Sequence, residues 1–159
     1  MEQDVLITPA SSAYRAYQGG FFTTLIAPDQ SVGALALMDM VLPRGAEPPL
    51  HVHEFEDEAF YLLEGHMRFQ VGDDVTELKA GQAIYAPRKI PHLFSILSEQ
   101  AHFITLITPG KFWNYFMEFS TAASEQPPVT PPQGPPPAEL LSLLTSRLET
   151  AYGITLYSK

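Results

Sequence analysis

From Gly20 to Pro109 the chain shows no helical period and a succession of short apolar runs: FFTTLIA, ALALMDMVLP, AFYLL, HMRFQVG, VTELKAG, AIYAP, HLFSILS and AHFITLITP. The runs are rich in aromatic and β-branched residues and are bounded by Gly, Pro, Asp or Ser, the pattern of strands joined by tight turns. Met67, Phe69 and Val71 alternate with Arg68 and Gln70, so this hairpin has one dry face and one wet face. A chain of 159 residues has room for one domain. Eight or nine strands at this spacing mean an all-β sandwich or barrel, with the jelly roll as a natural member of that class.

Strands alone carry no chemistry, but Gly45–Gly65 reads GAEPPLHVHEFEDEAFYLLEG. Side chains two apart on a strand share a face, so His51 and His53 point the same way, roughly 6–7 Å apart at Cα. A turn over Glu54–Asp57 returns Glu58 opposite them, and His92 arrives at the start of a later strand. Three imidazoles and one carboxylate suit one divalent transition metal ion: Fe, Mn, Ni, Co, Cu or Zn. Glu54, Glu56 and Asp57 compete with Glu58 for the carboxylate role. Their place in the turn reads more simply as a solvated acidic face. His66 should start a strand pointing outward, and His102 is either surface or support; both are left outside the ligand set.

These residues resemble the first cupin motif, G-x5-H-x-H-x4-E-x6-G, at Gly45, His51, His53, Glu58 and Gly65. Gly81, Pro87 and His92 resemble the second motif, G-x5-P-x-G-x2-H-x3-N, from which the chain departs at Lys89 and Ile96. The resemblance implies a cupin double-stranded β-helix, a jelly-roll barrel with short C-terminal α-helices. The single-domain layout, the PGKFWNYF segment and the closing AYGI also look like the small quercetin 2,3-dioxygenase-like cupins. That likeness implies a metal-dependent dioxygenase cleaving a flavonol-like or other enolisable aromatic substrate, with O2 as co-substrate. Glu58 would then be both a metal ligand and the catalytic base. Parity places Phe60 and Leu62 on the face of Glu58, and Phe94 and Ile96 on that of His92. With Tyr85 these form the expected pocket, unless they simply fill the barrel. Two other readings stay open. One is a non-oxidative cupin enzyme, an isomerase, epimerase or lyase on a small polar substrate, for which Arg88 and Lys89 would be the cations at hand. The other is a small-molecule-binding cupin without turnover.

The expected organisation is a cupin barrel over 1–124, a Pro-rich strap over 125–137 and a C-terminal helix and tail over 138–159. The first nineteen residues should lie along a sheet edge. Phe112, Trp113, Phe116 and Phe119 fall at helical spacing, to cap the barrel mouth or a subunit contact. EQPPVTPPQGPPP can only be extended, because proline lacks a ladder donor. The last helix, over 138–151, shows Leu140, Leu141, Leu144 and Leu148 on one face with Gly153 just past its end. It should bury that stripe against the barrel or a second subunit, and a homodimer is expected. Nine basic against eighteen acidic residues give a formal charge of −9, without the basic cluster that phosphate-backbone binding requires, so no nucleic-acid partner is expected. No run approaches the roughly 18–20 apolar residues of a membrane span, so no membrane partner is expected either. The N-terminus lacks a basic segment followed by an apolar one, and a cytoplasmic location is the expectation.

Overall fold

The computed structural model describes residues 13–157. The strands are β1 (Tyr14–Tyr17), β2 (Gly20–Ile26), β3 (Ala36–Pro43), β4 (His51–His53), β5 (Asp57–Glu64), β6 (His66–Val71), β7 (Asp74–Lys79), β8 (Ala83–Ala86), β9 (His92–Ile96) and β10 (Gln100–Thr108). Helix α1 (Trp113–Glu118), β11 (Thr121–Ala123), helix α2 (Ala138–Tyr152) and β12 (Ile154–Leu156) follow. All pairing is antiparallel, in two sheets. The seven-stranded sheet has the order β11-β1-β2-β3-β10-β5-β8, and the five-stranded sheet β12-β4-β9-β6-β7. Two antiparallel sheets face to face make the jelly-roll barrel.

The strand number exceeds the eight or nine legible in the sequence, because three-residue strands such as β11 and β12 are too short to show alternation. β11 covers β1, so the N-terminal strand is one in from the edge rather than the edge itself. The run Val5–Ile7 lies outside the described residues.

The barrel is filled from both sheets. Phe22, Met38, Leu62, Met67, Phe69 and Ile107 are fully buried. Phe60, Phe69, Phe94 and Phe103 form a ring cluster with centroids 5.0–6.4 Å apart. Such contacts add to the area buried, at about 0.5–1.5 kcal/mol per pair. Gly65, between β5 and β6, has φ +104°, and a Cβ there would lie 2.8 Å from the Gln100 carbonyl oxygen and from Ser98 Oγ. Both the backbone conformation and the space call for glycine at this motif position.

The segment after β10 closes one end of the barrel. A 3₁₀ turn over Gly110–Phe112 leads into α1, and Phe112, Tyr115 and Phe116 are buried there. Trp113 Nε1 donates to Thr24 Oγ1 at 2.9 Å. Residues 125–137 form neither helix nor strand and run along the surface, where the Thr130 amide donates to the Gly19 carbonyl at 2.7 Å. In α2 the buried residues are Leu144, Leu148 and Tyr152, four apart. Leu140 and Leu141 remain largely exposed, so the buried stripe is narrower than the leucine spacing suggested. Gly153 (φ +63°) ends the helix in the left-handed conformation. Glu118 holds α2 to α1, accepting two hydrogen bonds from Arg147 at 2.7 and 3.0 Å and one from Tyr152 at 3.0 Å. No helix among the described residues is long and apolar enough to cross a membrane.

Candidate metal centre

β4 lies between β9 and β12, and the cross-strand partner of His51 is His92. The three histidines therefore come from the five-stranded sheet. Glu58 comes from β5 of the other sheet, where it pairs with Ile107 on one side and Ala86 on the other. One potential ligand atom from each of His51, His53, Glu58 and His92 lies within 4.8 Å of the others, and all four residues are buried. The His51 ring centroid is 4.4 Å from that of His92 and 5.0 Å from that of His53.

The hydrogen bonds fix which nitrogens face the cluster. His51 Nδ1 lies 2.8 Å from the Pro49 carbonyl oxygen, which can only accept, so Nδ1 carries the proton and Nε2 is free to ligate. His53 Nδ1 lies 3.3 Å from Glu56 Oε2, and the same argument frees its Nε2. Glu58 Oε2 is 2.9 Å from His92 Nε2 and 3.3 Å from His53 Nε2. The second contact lacks hydrogen-bond geometry, so His53 Nε2 is a buried nitrogen without a hydrogen-bond partner, as is His92 Nδ1. A buried polar atom left unpaired costs about 1–3 kcal/mol. Three imidazoles and a carboxylate, with two buried ring nitrogens left unpaired, are a donor set that fits a divalent transition metal.

The electrostatics follow from burial and mutual proximity. Burial, together with neighbouring His92 and His53, pushes His51 down to about 4. Burial also opposes charge on His53, but Glu58 and Glu56 outweigh it and carry that imidazole up to about 9. For Glu58, burial raises the carboxyl, and His53 with His92 more than reverses this, holding it well below its ordinary value. Glu58 is a carboxylate at neutral pH.

The other titratable residues sort themselves around this centre. Glu56 is buried, contrary to its reading as part of a solvated face. Glu54 is exposed and 3.6 Å from Lys89 Nζ. Asp57 accepts from the Arg88 amide at 2.8 Å and from its guanidinium at 3.1 Å through each oxygen. His66 pairs with Glu77 at 2.9 Å, and His102 with Asp39 at 2.7 Å. Neither belongs to the cluster.

A cavity of about 230 Å³ opens on the cluster, with His51, Glu58 and His92 in its floor. Phe60 and Phe94 line it, whereas Leu62 and Ile96 share their faces but lie deeper, in the packed core. Tyr85 is 57% exposed and must be removed from the pocket. Register is the cause: Glu58 pairs with Ala86 and Phe60 with Ile84, so Tyr85 sits beside Ala59 on the outer face. The roof comes from Tyr17, then Phe112, Tyr115 and Phe116, then Leu141, Leu144 and Leu148. The spacing of the 112–119 aromatics offers the barrel mouth or a subunit contact as their place, and the leucine stripe the barrel or a second subunit; nothing in the sequence points to Tyr17. Among the described residues, no lysine or arginine lines the cavity.

Residues 38–107 match the family model described as the cupin domain. Over 80 residues the chain is 31% identical to an uncharacterized protein of Methanocaldococcus jannaschii, covering 50% of this chain and 64% of that one. Over 74 residues it is 28% identical to quercetin 2,3-dioxygenase of Bacillus subtilis, covering 46% of this chain and 22% of the enzyme. The match spans less than two thirds of either relative. Among solved structures, an RmlC-like cupin from Shewanella frigidimarina superposes with TM-score 0.55 at 18% identity, over 70% of this chain and 96% of that one. A predicted oxalate decarboxylase from Thermotoga maritima does so with TM-score 0.55 at 22% identity, over 65% and 99%. At these identities the likeness to the two structures is one of fold.

Proposed function

We propose that this chain, a member of the cupin superfamily, is a metal-dependent dioxygenase acting on an uncharged, flat, enolisable aromatic molecule of the flavonol kind. The observation that carries this reading is the cavity: a mostly aromatic and aliphatic enclosure that no lysine or arginine among the described residues lines, with His51, His92 and Glu58 of the cluster in its floor. The likeness of its central half to a quercetin 2,3-dioxygenase points in the same direction.

In this reading His51, His53, His92 and Glu58 hold one divalent ion, Fe, Mn, Ni, Co, Cu or Zn. The ion would supply Lewis acidity toward an oxygen of the substrate. Phe60, Phe94 and Phe103 sandwich the rings of the substrate and keep water out. Glu58, a buried carboxylate facing the cavity, accepts the proton of the substrate hydroxyl. Both atoms of O2 enter the products.

An anionic sugar-type substrate would need basic groups at the cavity wall. Arg88 and Lys89, the cations nearest the second motif, are committed to Asp57 and Glu54 instead. This favours the uncharged substrate over a phosphate-bearing one.

The test is oxygen uptake by metal-stripped protein, reconstituted separately with Fe, Mn, Co, Ni and Cu, with quercetin as substrate. Uptake that requires one of these metals and is lost in Glu58→Gln is expected. Stoichiometric metal binding without uptake for any of them would remove flavonols as substrates.

A further inference from the structure

The turn between β4 and β5 reads Glu54, Phe55, Glu56, and its burial runs against its composition. Phe55 is 57% exposed, whereas Glu56 is 2% exposed. A carboxylate so far from water needs a partner, because an unpaired buried charge is among the costliest features a fold can carry. Among the described residues its one hydrogen bond goes to Nδ1 of His53, at 3.3 Å. The nearby Arg88 guanidinium is engaged with both oxygens of Asp57. Glu56 is thus spent on a single imidazole, the one whose Nε2 is buried and bare at the centre of the cluster.

His51, two residues away on the same strand, offers the comparison. Its Nδ1 is held by a neutral carbonyl, that of Pro49. Both arrangements orient a ring and fix its tautomer. Only the carboxylate also draws the Nδ1 proton toward itself, leaving Nε2 the more basic donor. It also brings a second full negative charge beside Glu58. Ligation requires the imidazoles neutral, and with two carboxylates the site would then carry a charge of −2, which a divalent cation neutralises.

We propose that Glu56 is a positioning residue for the metal centre: through His53 Nδ1 it aims and strengthens one ligand and balances the charge of a divalent ion. The inference rests on the reading that the histidine–glutamate cluster holds such an ion. It requires Glu56 neither to touch the metal nor to contact substrate.

The experiment is a competitive-chelator titration of Zn(II) and Co(II) into metal-free wild type, Glu56→Gln and Glu54→Gln. Glutamine keeps the size and an acceptor oxygen but removes the charge. Glu56→Gln should keep one site per chain with affinity about 10–100-fold weaker, and its Co(II) absorption bands should move. Glu54→Gln, altered at the exposed neighbour, should match wild type. In the Zn(II)-loaded wild type, the His53 Nδ1 proton should resonate downfield and exchange slowly. That measurement stands even if the Glu56 variant does not fold. Affinity within twofold of wild type in Glu56→Gln, or a fast-exchanging His53 Nδ1 proton in wild type, would overturn the role of Glu56. Wild type that binds neither metal would overturn the metal reading itself, a separate failure.

Discussion

Glu58 Oε2 and His92 Nε2 meet at 2.9 Å although they belong to different sheets, Glu58 to β5 and His92 to β9. The contact ties the two halves of the barrel at the floor of the cavity, and both partners are buried. Ligand removal and charge removal should therefore separate cleanly. His53→Ala should lose stoichiometric metal, measured by elemental analysis after dialysis against the ion. Glu58→Gln should retain part of the metal and lose most turnover. A Gln variant with full activity would exclude Glu58 as the base.

Phe69, the member of the phenylalanine cluster that does not line the cavity, should contribute to stability without shaping the site. Phe69 is fully buried and packs on Phe60 and Phe94 at 5.0 and 5.6 Å, but does not line the cavity. Phe69→Ala should cost about 3–5 kcal/mol, read from urea unfolding of the metal-free protein. A loss below about 1 kcal/mol would mean that the barrel floor is not packed as described.

Lys89 occupies a position where cupins usually carry glycine, and it does so at φ +66°. For a non-glycine residue the left-handed conformation costs about 1–2 kcal/mol, against about 0.4–1 kcal/mol of extra unfolded-state entropy for glycine. Its ion pair with Glu54, between two exposed side chains, contributes little. Lys89→Gly should stabilise the protein by roughly 0.5–1 kcal/mol, and thermal unfolding at matched metal content checks the sign.

The Arg88 guanidinium and amide hold Asp57 down from its ordinary value near 3.8 to about 2. A depressed carboxyl contributes stability above its unfolded value, and the contribution fades as pH falls toward the folded one. Wild type and Arg88→Gln should differ in denaturant midpoint by a constant amount from neutral pH down to about 5. The gap should close between about pH 4 and pH 2. A gap that widens on acidification would contradict the pairing.

Much of this architecture could be read before any coordinates. The alternating runs give the barrel, and the spacing of His51, His53, Glu58 and His92 gives the cluster, because a strand's two-residue period is written in local sequence. Register between strands is not written there. Tyr85 shows the consequence: nothing in AIYAP says that Ala86, rather than Tyr85, lies across from Glu58. Glu56 was hidden for a different reason. In a run of four acidic residues, composition cannot tell the one that is buried against an imidazole from its solvated neighbours. That one cavity roof joins Tyr17, Tyr115 and Leu144 was illegible, because they are brought together only by the closing of the chain on itself.

β12 forms the outer neighbour of β4, with Ile154 opposite His53 and Leu156 opposite His51. During synthesis the ribosome releases β4 long before it makes β12, and early-made segments wait for late ones. Until then His51 and His53 stand on an open sheet edge, beneath a cavity that has no roof. Assembly of the centre is thus deferred to the last stage of translation. A chain interrupted between His92 and Ile154 would have every ligand but lack the strand that flanks two of them, and its half-built site would be open to any ion or protease in reach.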